Sequence, residues 1–83
     1  DFQEFCRRAG EWYLREKCYA RAFEYLYRAG EVEAILEQCN RENAPESLFA
    51  HFPQIRTLFE GLSDSQRLQY PLACLQYIYF QSL

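Results

Sequence analysis

Eighty-three residues with a net charge of −3 make one small domain, and a composition 49% hydrophobic and 18% aromatic excludes a disordered chain. The nine basic side chains are scattered from Arg7 to Arg67 without forming a stripe, which argues against a nucleic-acid surface, and no apolar run is long enough to cross a bilayer. A chain this short buries only about 60–65% of the surface its unfolded form exposes, so seven Phe, seven Tyr and one Trp are more rings than a thin core absorbs.

The periodicity is helical throughout. Phe2, Phe5, Cys6, Ala9, Trp12 and Tyr13 recur at steps of three and four, which predicts a first helix burying that stripe, with Trp12 packed between helices. Arg7, Arg8, Glu11 and Arg15 take its other side, and a break is expected at Glu16–Lys17–Cys18. Tyr19, Ala22, Phe23, Leu26 and Ala29 form the stripe of a second helix. It stops at Gly30, where a left-handed cap favours a residue without Cβ. A third helix opens at Glu31, whose charge suits the positive end of the helix dipole, and buries Val32, Ile35, Leu36 and Cys39. Asn40 to Asn43 reads as a polar end that frays.

Pro45 suits the first turn of a short fourth helix with Leu48, Phe49 and Phe52 on its apolar face. Pro53 ends or kinks that helix, and Ile55, Leu58, Phe59 and Leu62 continue at helical steps until Gly61. Ser63 is an N-cap for a helix through Gln69, and Tyr70 before Pro71 separates off the last helix. Leu72, Leu75, Ile78 and Tyr79 lie on one side of that helix, while Ala73, Tyr77, Phe80 and Leu83 widen its apolar coverage to most of the circumference. The expected architecture is therefore all-α: antiparallel helical hairpins, tetratricopeptide-like, as in a fragment of an α-solenoid. One helical-repeat domain covers 1–83, with room for two or three helix pairs.

The residues that carry chemistry elsewhere read here as packing. Cys6, Cys18, Cys39 and Cys74 match neither a CxxC nor a zinc spacing, and Cys6 and Cys39 fall on apolar stripes as small hydrophobes; reduced thiols of a cytosolic protein are expected. His51 is the only histidine, and a nucleophilic pair would need a thiol beside it. Glu33 and Glu37, one turn apart, read as a solvated face rather than a cation site, and Glu24 and Arg28 as an i,i+4 pair. Trp12, Tyr13, Tyr19, Phe23, Tyr25 and Tyr27 could frame a cage, but helical spacing accounts for most of them as packing. Tyr25 and Tyr27 lie off the main stripe. Gly10, Gly30 and Gly61 are not followed by Lys, so no phosphate-binding loop is present.

Tyr19-x-x-Ala22-Phe23-x-Tyr25-Leu26 is similar to the second helix of a tetratricopeptide-like hairpin. The longer string RRAGEWYLREKCYARAFEYLYRAGEVEAI, from Arg7 to Ile35, resembles the region after the winged-helix part of MalT-type, LuxR-family ATP-dependent transcriptional regulators. Trp12–Tyr13 stands where that family has a Trp-aromatic pair, Ala22–Phe23 where it has an Ala-aliphatic pair, and Ala29–Gly30–Glu31 at its Ala-Gly-acidic turn. LFEGLSDSQRLQYPLACLQYIYF resembles the next helical pair, with Pro71 starting the second member. The chain departs from the family where a His near Tyr25 and a Pro near Ser63 are usual.

The resemblance implies a non-enzymatic helical sensor-arm or interdomain segment of a bacterial signal-responsive regulator. It would hold no cofactor itself, with ATP and DNA bound by other domains of the parent. DFQEF at the start, without an initiator Met, and YFQSL at the end fit a segment of a longer chain. The expected partners are neighbouring domains, or a second copy through the last helix, with Leu72, Tyr77, Tyr79, Phe80 and Leu83 as the contact surface. Neither a membrane nor direct nucleic-acid contact is expected, and the location is cytoplasmic. The alternative is a tetratricopeptide-like adaptor that binds peptides in a groove.

Overall fold

Asp1 opens the first helix by accepting the N–H groups of Gln3 at 2.8 Å and Glu4 at 3.3 Å on Oδ1. The computed structural model describes residues 1–42, 44, 47–50 and 52–82, and every regular element among them is helical. These are α1 (Phe2–Arg15), α2 (Tyr19–Arg28), α3 (Val32–Cys39), α4 (Ser47–Ala50), α5 (Ile55–Glu60), α6 (Asp64–Gln69) and α7 (Pro71–Gln81). The break at Glu16–Lys17–Cys18, the stop at Gly30 and the helix starts at Asp64 and Pro71 fall where the sequence puts them. Pro45, His51, Asn43 and Leu83 lie outside the described residues, so the helix start expected at Pro45 does too.

The first two helices end in the same way. Lys17 N–H donates to Leu14 O at 3.0 Å and Cys18 N–H to Tyr13 O at 2.9 Å; Gly30 N–H donates to Tyr27 O at 3.0 Å and Glu31 N–H to Leu26 O at 2.9 Å. Each pair closes a Schellman motif, which satisfies carbonyls the helix leaves open and needs a left-handed residue after the cap. Gly30 takes that conformation at φ 77° without a Cβ to clash, while at the first helix Lys17 takes it at φ 60°.

The chain turns back at Lys17, so α1 and α2 form an antiparallel hairpin: Gln3 Nε2, at the start of α1, donates to Ala29 O, past the end of α2, at 2.9 Å. Gly10 is buried against α2, and a Cβ built there would lie 2.7 Å from Leu26 Cγ and Cδ2. Close approach of the helices therefore depends on a glycine in α1. The buried line of α1 runs through Cys6 and Gly10, which shifts it from the expected stripe. Phe2, Phe5 and Trp12 remain exposed, with Trp12 50% accessible, so Trp12 is not sandwiched between helices. A single neighbouring helix covers only a narrow line of α1, so Phe5 and Trp12 meet other rings only edge-on, at Tyr25 and Tyr13. Truncating Trp12 therefore costs about 1–2 kcal/mol, well below the value for a core ring.

The core proper joins α2, α3, α4, α5 and α7. It holds Phe23, Leu26, Ile35, Leu36, Leu48, Phe49, Phe52, Leu58 and Phe59, as the stripes of these helices predict, and Ala73, which lies off the main stripe of α7. Phe23 and Tyr27 both meet the Phe52 ring edge-on with centroids 5.7 Å apart. Ser63 closes a capping box at α6: its Oγ accepts Gln66 N–H at 3.1 Å, and Gln66 Oε1 accepts Ser63 N–H at 3.0 Å. The Cα radius of gyration is 12.1 Å, close to the roughly 12 Å expected of a chain this long when compact.

Candidate interaction surface

The last helix supplies the surface, and its inward side is the one the periodicity ranked second. Ala73 is fully buried, and Cys74, Tyr77 and Phe80 pack against the core. Tyr77 stacks flat on Phe59, centroids 4.4 Å apart at 3°, and Phe80 stacks on Phe49 at 5.8 Å and 25°. Leu75, Ile78 and Tyr79 face outward, 64%, 61% and 66% accessible. Of the five residues expected on the surface, Tyr79 stands open, Leu72 is half-buried, Tyr77 and Phe80 are committed to the core, and Leu83 lies outside the described residues. Leu75 and Ile78 complete the open face. Both belong to the Leu72–Tyr79 stripe, so their periodicity was the available signal.

Three polar contacts anchor the first half of α7 to the end of α3. Ala73 N–H donates to Asn40 Oδ1 at 2.9 Å, and Gln76 Nε2 donates to Cys39 O at 2.8 Å and Arg41 O at 2.9 Å. Asn40 thus caps a helix 33 residues away, while Gln76 returns a donor to the carbonyls at the end of α3. The fraying expected from Asn40 onward does not extend to Asn40 itself. Tyr70, just before α7, is buried, and its hydroxyl pKa is raised by burial, with the Glu33 and Glu37 carboxylates adding to the shift.

The other candidate chemistry resolves into packing and surface ion pairs. Tyr25, off the main stripe of α2, fills the hairpin by stacking on Tyr13 at 5.7 Å and meeting Phe5 edge-on at 6.3 Å. Arg28 lies over the Tyr25 ring at 5.8 Å and pairs with Glu24 at 2.9 Å. Tyr27 packs on Phe52, and Trp12 on Tyr13 edge-on at 5.1 Å. Arg7 bonds Glu4 and Glu11, and its hydrogen bond to Glu4 holds that carboxyl below its usual range. Cys6 and Cys39 are buried, Cys74 is half-buried and Cys18 exposed; all four are free thiols. Burial alone pushes the Cys39 thiol up to about 12. His51, the imidazole a nucleophilic thiol would need beside it, lies outside the described residues. Among the described residues no group of three or more His, Cys, Asp or Glu side chains is placed to hold a metal ion, and no helix is long and apolar enough to cross a membrane. Comparison with protein-family models, curated proteins and solved structures finds no match to this chain.

Proposed function

We propose that the chain is a non-enzymatic helical segment that works by packing: a tetratricopeptide-like, sensor-arm or interdomain piece of a LuxR/MalT-like signal-responsive regulator. The observation that carries this reading is the outward face of α7. Leu75, Ile78 and Tyr79 stand open on a helix with no charged residue, while Asn40, Gln76, Tyr77 and Phe80 hold that helix to the core. An uncharged apolar face rooted in this way suits contact with a neighbouring repeat or domain, since no ion needs desolvating there. Rigid helix pairs meeting through such faces pass on a ligand-driven rearrangement by shifting the contacts between them. ATP and DNA would be bound by other domains of the parent. The resemblance to that regulator family rests on Trp12–Tyr13, Ala22–Phe23 and Ala29–Gly30–Glu31, residues this fold uses to pack and turn its first hairpin.

Left without a neighbour, the face should pair with a second copy of the chain. Light scattering across a concentration series should give a mass above that of the monomer. Leu75→Asp with Ile78→Asp should return the monomer with helicity unchanged. Phe80→Asp is a poorer probe because Phe80 stacks on Phe49 in the core. A wild-type chain that stays monomeric at its solubility limit overturns the proposal.

A further inference from the structure

A cleft of about 400 Å³ opens between α5, α6 and α7, lined by Phe59, Glu60, Arg67, Cys74, Tyr77 and Ile78. That volume lies within the roughly 300–1,000 Å³ of small-molecule sites. The stacked Phe59–Tyr77 pair, Ile78 and Cys74 give it apolar walls. Its two charged groups are not equivalent. Glu60 is already paired, its Oε2 lying 3.3 Å from Arg56 Nε. Arg67 has no carboxylate partner among the described residues; its Nε–H donates to Leu62 O at 3.3 Å. That bond orients the guanidinium and leaves both terminal nitrogens to donate side by side, a geometry that matches a carboxylate. The Tyr77 hydroxyl accepts from Gln81 Nε2 at 2.9 Å and keeps its own proton to donate.

We propose that this cleft binds a small organic carboxylate with an apolar body, the anion on Arg67 and the body against Phe59, Tyr77 and Ile78. The ligand needs both parts. A free inorganic anion leaves the apolar walls wet, and a neutral apolar molecule leaves Arg67 unpaired. A cation meets an uncompensated guanidinium.

Amide-resolved NMR titration of the 83-residue chain tests this with phenylacetate, benzyl alcohol and phenethylamine, which share a ring and differ in charge. Phenylacetate should shift Cys74, Tyr77 and Ile78 and bind about fivefold more tightly than benzyl alcohol, the scale of one half-exposed ion pair. Phenethylamine should bind more weakly than either. Arg67→Gln should erase the advantage of phenylacetate over benzyl alcohol and leave the weak binding of the alcohol. Ile78→Glu and the equally polar but neutral Ile78→Gln both remove the apolar contact of the α7 face, so they differ only in charge at the cleft. The Glu variant should bind phenylacetate more weakly than the Gln variant with helicity unchanged, which keeps the inference testable if Arg67→Gln unfolds, and equal affinities overturn it. Equal binding of the three probes, a preference for the amine, or an advantage that survives Arg67→Gln overturns it.

Discussion

The side-chain oxygen of Asn40, at the end of α3, accepts the backbone N–H of Ala73, in the first turn of α7, at 2.9 Å. The residue before that helix, Tyr70, makes no side-chain cap of its own, so the cap comes from another helix. Asn40→Ala should lower stability by about 1–2 kcal/mol, the loss of a cap whose partner is left part-buried. Asn40→Asp keeps the acceptor and adds charge at the positive end of α7, and should stay within about 0.5 kcal/mol of wild type. In a double-mutant cycle Asn40→Ala and Gln76→Ala should couple, since both join the same two helix ends. Urea unfolding that leaves the Asn40→Ala midpoint unmoved would remove the clasp from the account.

Gly10 governs how closely the first hairpin can pack. Alanine gains about 1 kcal/mol of helix propensity, but its methyl would lie 2.7 Å from Leu26 Cγ and 3.2 Å from Leu26 N. Leu26 is buried, and because its Cγ and backbone N are both close, turning its outer methyl alone does not clear the space. Gly10→Ala should therefore be destabilising overall by about 1–2 kcal/mol, and Gly10→Val by more. A higher thermal midpoint for the alanine variant would show that Leu26 gives way freely.

The two Schellman ends predict opposite substitutions. Lys17 holds φ 60° with a side chain that makes this region costly, so Lys17→Gly should stabilise by about 0.5–1 kcal/mol after allowing for the freer unfolded chain. Gly30 holds φ 77° with open space where a Cβ would go, so Gly30→Ala should cost about 1 kcal/mol from backbone conformation alone. Denaturant midpoints of the two variants should move in opposite directions. A loss of stability in Lys17→Gly would give the Lys17 side chain a role its geometry does not reveal.

Alkaline pH should weaken the fold through the buried Cys39 and Tyr70 and the half-buried Tyr77. The folded-state pKa of Cys39 is raised by burial from 9.0 to about 12. Tyr70 and Tyr77 are also raised from 10.0, first by burial and then by nearby glutamates. A group raised in the folded state binds its proton more tightly there than in the unfolded chain. The stability it contributes is whole below the unfolded value and drains as pH rises through the folded one. For Cys39 that window runs from pH 9.0 to about 12, and the tyrosines join from pH 10.0. Unfolding midpoints measured from pH 8 upward should fall across the window, and Cys39→Ala should flatten the first part of the decline. A flat profile for the wild-type chain would place these groups in contact with water.

Local rules were enough for much of this fold because they act within a few residues. Ser63 three before Gln66, Gly30 after an apolar run and Pro71 after Tyr70 each satisfy or remove particular backbone groups, and the helices start and stop there. Helical spacing likewise placed Phe23, Leu26, Ile35, Leu36, Leu58 and Phe59 in the core. For the candidate surface, the spacing marked α7 as apolar over most of its circumference but could not say which side would turn inward.

That choice belongs to the tertiary structure, because burial depends on which neighbour arrives. Flat partners in Phe59 and Phe49 draw Tyr77 and Phe80 inward, and the Leu75–Ile78–Tyr79 side is left open. The hairpin covers one line of α1, centred on Cys6 and Gly10, so Trp12 stays half exposed despite its place on the stripe. Asn40 looked like a fraying polar end because its partner lies 33 residues further on. The sequence alone determined where the helices lie and which faces are apolar; only their packing decided which apolar faces are spent on the core and which stay exposed.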